Sequence, residues 1–176
     1  MKRQDRIKGS DLPAGAWRIT VPVRFSHCDP AGIVYFPRYF DMINGVVEDW
    51  FAGALGLAHH TFIRDRRIGL GPAHAEADFM TPGFLADELV FAVLVERLGN
   101  SSLALSVHAH RGEEPVLIAR LVIVTTSLDE HRAIPIPDDL RAALERYRER
   151  CRRRARASRP CFSQRAGRRR AATPTA

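Results

Sequence analysis

The stretch Phe36-Pro37-Arg38-Tyr39-Phe40-Asp41-Met42-Ile43-Asn44-Gly45-Val46-Val47-Glu48-Asp49-Trp50-Phe51 decides how this 176-residue chain is read. Pro37 suits the start of a helix, where a missing N–H costs nothing. At about 100° per residue, Arg38, Asp41, Asn44, Glu48 and Asp49 fall in one stripe narrower than half the circumference. The rest is apolar: Phe36, Tyr39, Phe40, Met42, Ile43, Val46, Val47, Trp50 and Phe51. A helix apolar over most of its surface must be buried on most sides, and a sheet curved around it would do that.

Strand patterns lie on both sides of this helix. Upstream, Trp17, Ile19, Val21, Val23 and Phe25 alternate with Arg18, Thr20, Pro22 and Arg24, which predicts a half-buried strand. Pro22 cannot donate to a ladder, so this strand belongs at an edge or a bulge. Downstream, Gly53 to Pro72 gives no clear pattern. Four strand-like runs follow: Ala73 to Met80, Glu88 to Leu98, Ser102 to Arg111 and Pro115 to Leu128. Thr81-Pro82-Gly83, Gly99-Asn100 and Gly112-Glu113-Glu114 separate them with turn chemistry. Such short breaks mean antiparallel hairpins. A last helix should start after Pro137, with Asp138 and Asp139 at its positive end. Strands segregated from a single central helix predict an α+β fold.

The segment that feeds the central helix is His27-Cys28-Asp29-Pro30-Ala31-Gly32-Ile33-Val34-Tyr35-Phe36-Pro37. It carries an imidazole, a thiol and a carboxylate in consecutive positions, and Pro30 and Gly32 hold a turn. A helix N-terminus offers free N–H groups and the positive end of a dipole. A carboxylate beside it can act on a carbonyl carbon while those N–H groups bind the developing oxyanion. Because Pro37 has no N–H, the nearest donors are the amides of Phe36 and Arg38.

From Phe25 to Phe51, and above all in Asp29-Pro30-Ala31-Gly32-Ile33-Val34-Tyr35-Phe36-Pro37-Arg38-Tyr39, the sequence resembles the 4-hydroxybenzoyl-CoA thioesterase family. The resemblance implies a hotdog fold, in which a curved antiparallel sheet of about five strands wraps a long central helix. It places the catalytic aspartate on Asp29 and the carbonyl-polarising backbone amide on Phe36. His27 stands where many relatives have a second acid, and Phe36 where some bacterial relatives have a histidine. His27, Gly32 and Tyr35 are the substrate-binding candidates around Asp29. The implied activity is hydrolysis of an aryl- or acyl-CoA thioester to the free acid and CoA, with no metal and no cofactor. The implied assembly is a homodimer or homotetramer with active sites at a dimer interface. Ala73 to Met80 is the candidate edge strand for that contact.

Composition sets the remaining bounds. The net charge of +7 conceals a division. From Arg148 to Ala176 eleven arginines face the single Glu149, a net +10, which leaves −3 for the other 147 residues. The expected organisation is a flexible segment 1–16, a domain over 17–147 with its C-terminal helix, and an Arg-rich disordered tail 148–176. No run of 18 apolar residues predicts a membrane span, and the polar start lacks the apolar core of a signal peptide. A cytoplasmic protein is expected. A basic tail can bind nucleic acid, although an acidic body makes nucleic acid an unlikely partner otherwise.

Other chemistry-bearing residues have plainer readings. Cys28 could be a nucleophile beside His27, but a buried, inert thiol is the expectation. His59-His60, and His108 with His110, lack acidic or Cys partners at ligand spacing, so no metal site is expected. Glu48 and Asp49 are reserve candidates for a base. Two other functions compete: a hotdog dehydratase or hydratase acting on acyl thioesters, and a non-catalytic acyl-CoA-binding or nucleic-acid-associated module that uses the basic tail.

Overall fold

The computed structural model describes residues 7–157, with side chains as far as Arg152. Five long strands form one antiparallel sheet: β1 (Trp17–Pro22), β2 (Ile68–Phe79), β3 (Glu88–Leu98), β4 (Ser102–Arg111) and β5 (Glu114–Ser127). Their order is β1-β3-β4-β5-β2, and a two-residue β6 (Arg132–Ala133) adds to β5. The helix α1 (Phe36–Trp50) lies on the inner face and buries Tyr39, Met42, Ile43, Val46, Val47 and Trp50. These meet Leu89, Phe91 and Val93 of β3, Leu103, Leu105 and Val107 of β4, and Leu117, Ala119 and Leu121 of β5 in one apolar cluster. The expected α+β, sheet-around-helix architecture is what forms.

Several expectations need correction. The first strand stops at Pro22, because Phe25 opens a 3₁₀ turn, Phe25–His27, and is 82% exposed. Pro22 does sit on an edge strand, since among the described residues β1 pairs with β3 alone. The unpatterned connection holds a wide helical turn, Phe51–Leu55, and a short helix α2, His59–Arg64. The strand after it begins at Ile68 rather than Ala73, with a bulge between Pro72 and His74. Gly69, Gly71 and Pro72 weakened its signal, and the bulge broke the alternation.

The chain ends are more structured than charge alone predicts. Residues 7–16 are not a loose lead: Leu12 is buried, the Ser10 amide donates to Glu113, and a His110 ring nitrogen lies 2.8 Å from the Ile7 carbonyl. At the other end α3 (Asp138–Ala157) runs ten residues past the expected boundary at 147. Its buried row is Leu140, Leu144, Tyr147 and Cys151. Arg148 donates to the Glu96 carbonyl and Arg150 to the Gly15 carbonyl. The remainder of the expected tail, 158–176, and residues 1–6 lie outside the described residues.

The outer face of the sheet carries a buried polar group. Ser106 donates to the Glu96 carboxylate at 2.6 Å, and His108 Nε2 lies 3.2 Å from the same hydroxyl. Burial first, then the neighbouring His110, lowers the His108 pKa to about 4, and Glu96 opposes the shift only partly. His108 is therefore neutral when folded and takes up a proton on unfolding below about pH 6.5. Its contribution to stability is complete above that pH and is lost as the pH falls toward 4. We expect the urea midpoint to fall between pH 7 and pH 5, and His108→Gln to flatten that fall. An equal fall in both proteins would show that His108 is not its source.

Candidate active site

Residues 27–35 fold back as a narrow hairpin. The Asp29 amide donates to the Ile33 carbonyl at 2.9 Å, the Tyr35 amide to the His27 carbonyl at 2.9 Å, and Cys28 bridges Val34. At the tip the Gly32 amide donates to the Asp29 carbonyl at 3.0 Å, closing a β-turn. Asp, Pro and Gly occupy the first, second and fourth places, as a type I turn favours. Gly32 then takes a φ of 76°, the left-handed step that ends a three-residue hairpin loop. An L side chain there is strained by about 1–2 kcal/mol. Gly32→Ala should therefore lower thermal stability and turnover together; an unchanged kcat would show that the loop geometry does not matter.

The turn also fixes the carboxylate. Asp29 Oδ1 accepts the Ala31 amide at 2.8 Å. Oδ2 accepts no hydrogen bond among the described residues, so one oxygen anchors the group and the other has no protein donor there. Asp29 is half-buried. The turn-residue role and the proposed chemical role are compatible, because each uses a different oxygen.

The hairpin is tied to the strip before β3. The Val34 amide donates to the Gly83 carbonyl, the Leu85 amide to the Gly32 carbonyl, and Ile33 bridges Phe84. The Gly83 amide in turn donates to the buried Tyr39 hydroxyl of α1 at 3.0 Å. A Cβ at Gly83 would lie 2.8 Å from that oxygen, so only glycine allows this approach. Burial raises the Tyr39 pKa, with the Gly83 bond opposing, and keeps the hydroxyl neutral. Hairpin, strip and helix are thus locked together.

Of the two candidate amides, α1 has already used one. Arg38 donates to the Tyr35 carbonyl at 2.8 Å, and Pro37 has no N–H. The Phe36 amide, first in the helix, has no acceptor among the described residues, as expected at a helix start. Tyr35, at the N-cap, makes no side-chain capping bond. Its ring is 49% exposed and stands edge-on to Phe36 at 5.3 Å.

His27 has a local partner: its Nδ1 accepts the Arg24 amide at 3.0 Å. Burial, then Arg24 and Arg38, lowers its pKa, so the ring is held neutral. Cys28 is half-buried against the core, and its thiol lies 3.6 Å from the Arg24 carbonyl. Glu48 and Asp49 are exposed on α1, with Glu48 about 18 Å along the helix from Phe36.

A cavity of about 380 Å³ adjoins the helix start, lined by Ile33, Val34, Phe36, Tyr39, Phe79, Met80, Thr81 and Pro82. None of these residues is charged. Asp29 is not in the lining, although the hairpin contributes Ile33 and Val34. Of the exposed large apolar side chains among the described residues, all but Ile63 of α2 lie here: Phe25 on the 3₁₀ turn, Tyr35 on the hairpin, Phe36 at the helix start, Phe79 at the end of β2, and Phe84 and Leu85 on the strip. Sequence reading missed Phe79, at the end of β2, and the Gly83–Tyr39 lock. The only signal for the lock was Gly83 in a turn, and for Phe79 a lone aromatic after three alanines. Among the described residues, no group of His, Cys, Asp and Glu side chains is placed to hold a metal ion.

A curved antiparallel sheet wrapped around a central helix defines a hotdog domain. The model of the thioesterase-like superfamily matches residues 23–144, and the chain belongs to that superfamily. It is 27% identical over 124 residues to a 1,4-dihydroxy-2-naphthoyl-CoA hydrolase of Synechococcus elongatus, covering 70% of this chain and 90% of that one. Among solved structures, the 1,4-dihydroxy-2-naphthoyl-CoA thioesterase Slr0204 of Synechocystis superposes with a TM-score of 0.68 at 21% identity, covering 73% of this chain and 95% of that one. The gentisyl-coenzyme A thioesterase BH1999 superposes with a TM-score of 0.67 at 23% identity, covering 73% and 99%. The expectations of a hotdog fold and a thioester hydrolase are borne out. Among the described residues no helix is long and apolar enough to cross a membrane.

Proposed function

We propose that this protein hydrolyses an aryl-CoA thioester to the free acid and CoA, with Asp29 as the attacking or activating carboxylate. The observation that carries this reading is the pairing of two groups left open on one locked scaffold. These are Asp29 Oδ2 and the Phe36 amide at the start of α1. The thioester carbonyl oxygen takes the Phe36 N–H, and the helix dipole favours the charge that develops there. Asp29 then adds to the carbonyl carbon as nucleophile, or takes a proton from a water that adds. Collapse of the tetrahedral intermediate breaks the C–S bond, and the CoA thiolate leaves and takes a proton. On the nucleophilic route a mixed anhydride is then cleaved by water.

The relatives named for 1,4-dihydroxy-2-naphthoyl-CoA and gentisyl-CoA support an aromatic acyl group. So does the uncharged cavity of about 380 Å³, which is within the usual range for a small-molecule pocket. His27, Gly32 and Tyr35 would surround the substrate from the hairpin, in a cytoplasmic enzyme. The test is CoA release from a panel of benzoyl-, hydroxybenzoyl-, acetyl- and palmitoyl-CoA. Preference for the aromatic members supports the reading, and release from none of them overturns it.

The reading includes a homodimer or homotetramer. Among the described residues the outward edge of β2 is unpaired, since β2 bonds there to β5 alone. An open edge beside an exposed apolar patch calls for a partner, and a two-fold contact satisfies both chains at once. Light scattering should give a mass at least twice the 19.8 kDa of one chain. An active monomer would contradict it.

A further inference from the structure

We propose that Tyr39 and Thr81 are specificity-determining residues, which together read a hydroxyl group carried by the acyl ring. This deepens the proposed hydrolysis and rests on it. Of the side chains that line the cavity at the helix start, those of Tyr39 and Thr81 alone carry an oxygen or a nitrogen. The other side chains of the lining are apolar, so these two hydroxyls decide which polar substituent is matched there.

Each hydroxyl has half of its hydrogen-bonding capacity committed, and the halves left over are opposite. A hydroxyl donates one proton and accepts on its oxygen. The Tyr39 oxygen accepts the Gly83 amide at 3.0 Å, and its proton has no acceptor among the described residues. Tyr39 is only 4% exposed, and a buried donor without an acceptor is costly. That missing acceptor is what points to a ligand. Thr81 is the reverse case. Its Oγ1 donates the proton to the Pro115 carbonyl at 2.9 Å, and the oxygen accepts nothing among the described residues. Tyr39 is therefore left as a donor and Thr81 as an acceptor.

The two groups belong to one neighbourhood. Gly83, which holds the Tyr39 oxygen, is two residues from Thr81, so their Cα atoms are at most about 7 Å apart. An atom at the Gly83 Cβ position would lie 2.8 Å from the Tyr39 oxygen and 3.4 Å from Val34 Cγ2. The hydroxyl end of Tyr39, and not only its ring, thus sits near a side chain of the lining. One substrate hydroxyl bonded to both groups bridges up to about 6 Å between them. A hydroxyl is the substituent that fits, because it accepts from Tyr39 and donates to Thr81. A bare ring satisfies neither, and an ether satisfies only the first. Tyr39 is also three residues past Phe36, so one helix carries both the donor for the thioester carbonyl and the donor for the ring substituent.

The test measures kcat/KM for 2-, 3- and 4-hydroxybenzoyl-CoA and for benzoyl-CoA in wild type, Tyr39→Phe, Thr81→Val and Thr81→Ser. The best hydroxy isomer should exceed benzoyl-CoA at least about tenfold in the wild type, a conservative figure for a site built to bond a substrate hydroxyl. Tyr39→Phe and Thr81→Val should each bring that ratio toward one, whereas Thr81→Ser, which keeps the oxygen, should preserve it. Tyr39→Phe also leaves the Gly83 amide without its acceptor, but that disturbance acts on both substrates and cancels in the ratio. Circular dichroism checks the fold, and if one variant does not fold, the other decides. A wild-type enzyme that hydrolyses benzoyl-CoA and favours no hydroxy isomer overturns this inference alone. So does a preference that survives either Tyr39→Phe or Thr81→Val in folded protein. A wild-type protein that releases CoA from none of the four thioesters overturns the hydrolase reading, and the inference with it.

Discussion

Purified Asp29→Asn protein should keep the wild-type circular dichroism spectrum and oligomeric mass while kcat falls at least about 100-fold, the low end for losing a positioned acid–base group. Asn is nearly isosteric with Asp, and its side-chain oxygen can still accept the Ala31 amide, which holds the turn. What it loses is the negative charge and the basic second oxygen. If Asp29 served only the turn, this substitution would cost little, because Asn is also a favoured turn residue. Asn therefore separates the structural role from the chemical one, which Ala would not. A folded Asp29→Asn enzyme with near-normal kcat would remove Asp29 from the mechanism. Glu48, the reserve base on α1, would then be the next residue to replace.

Trp50→Ala should destabilise the protein by about 3–5 kcal/mol, a cost typical of emptying a large aromatic site in a core. Trp50 is wholly buried at the end of α1 and meets Phe51 at 5.4 Å and Tyr147 of α3 at 5.3 Å, both edge-on. The Tyr147 hydroxyl donates to the Val93 carbonyl of β3 and accepts the Trp17 amide of β1. Burial pushes its pKa up to about 12, so that link stays neutral and intact at ordinary pH. Trp50 thus seats the end of α1 against α3 and the sheet, while Tyr39 and Gly83 seat its start. A loss of this size is a large fraction of a domain's usual 5–15 kcal/mol, and urea unfolding will measure it. A change below about 1 kcal/mol would mean that the site collapses around the smaller side chain.

The central helix, the hairpin order and the helix-start chemistry were legible because each rests on local pattern. The stripe from Arg38 to Asp49 gave the burial of α1, and Asp29-Pro30-Ala31-Gly32 carries its turn type in its residues. The choice between the Phe36 and Arg38 amides was not legible. It depends on the Tyr35 carbonyl turning back to take Arg38, which is a matter of backbone angles. Phe79 was hidden for another reason: its partners Phe36 and Tyr39 lie some forty residues away, and only the pairing of β2 with β5 brings them together. The run after Tyr147 misled because charge density outweighed spacing. Leu140, Leu144, Tyr147 and Cys151 keep one apolar row as far as Cys151, and Arg148 and Arg150 find backbone carbonyls.

The most direct test of thioester hydrolysis is to incubate the full chain with cinnamoyl-CoA in water enriched in oxygen-18 and weigh the products by mass spectrometry. Cinnamoyl-CoA is both an aryl-bearing thioester and an enoyl thioester, so it offers the two competing chemistries at once. The account predicts free CoA and cinnamate in equal amounts, with solvent oxygen in the carboxylate and none in CoA. An intact CoA thioester that has gained the mass of one labelled water, with no free thiol, would contradict it and make the protein a hydratase.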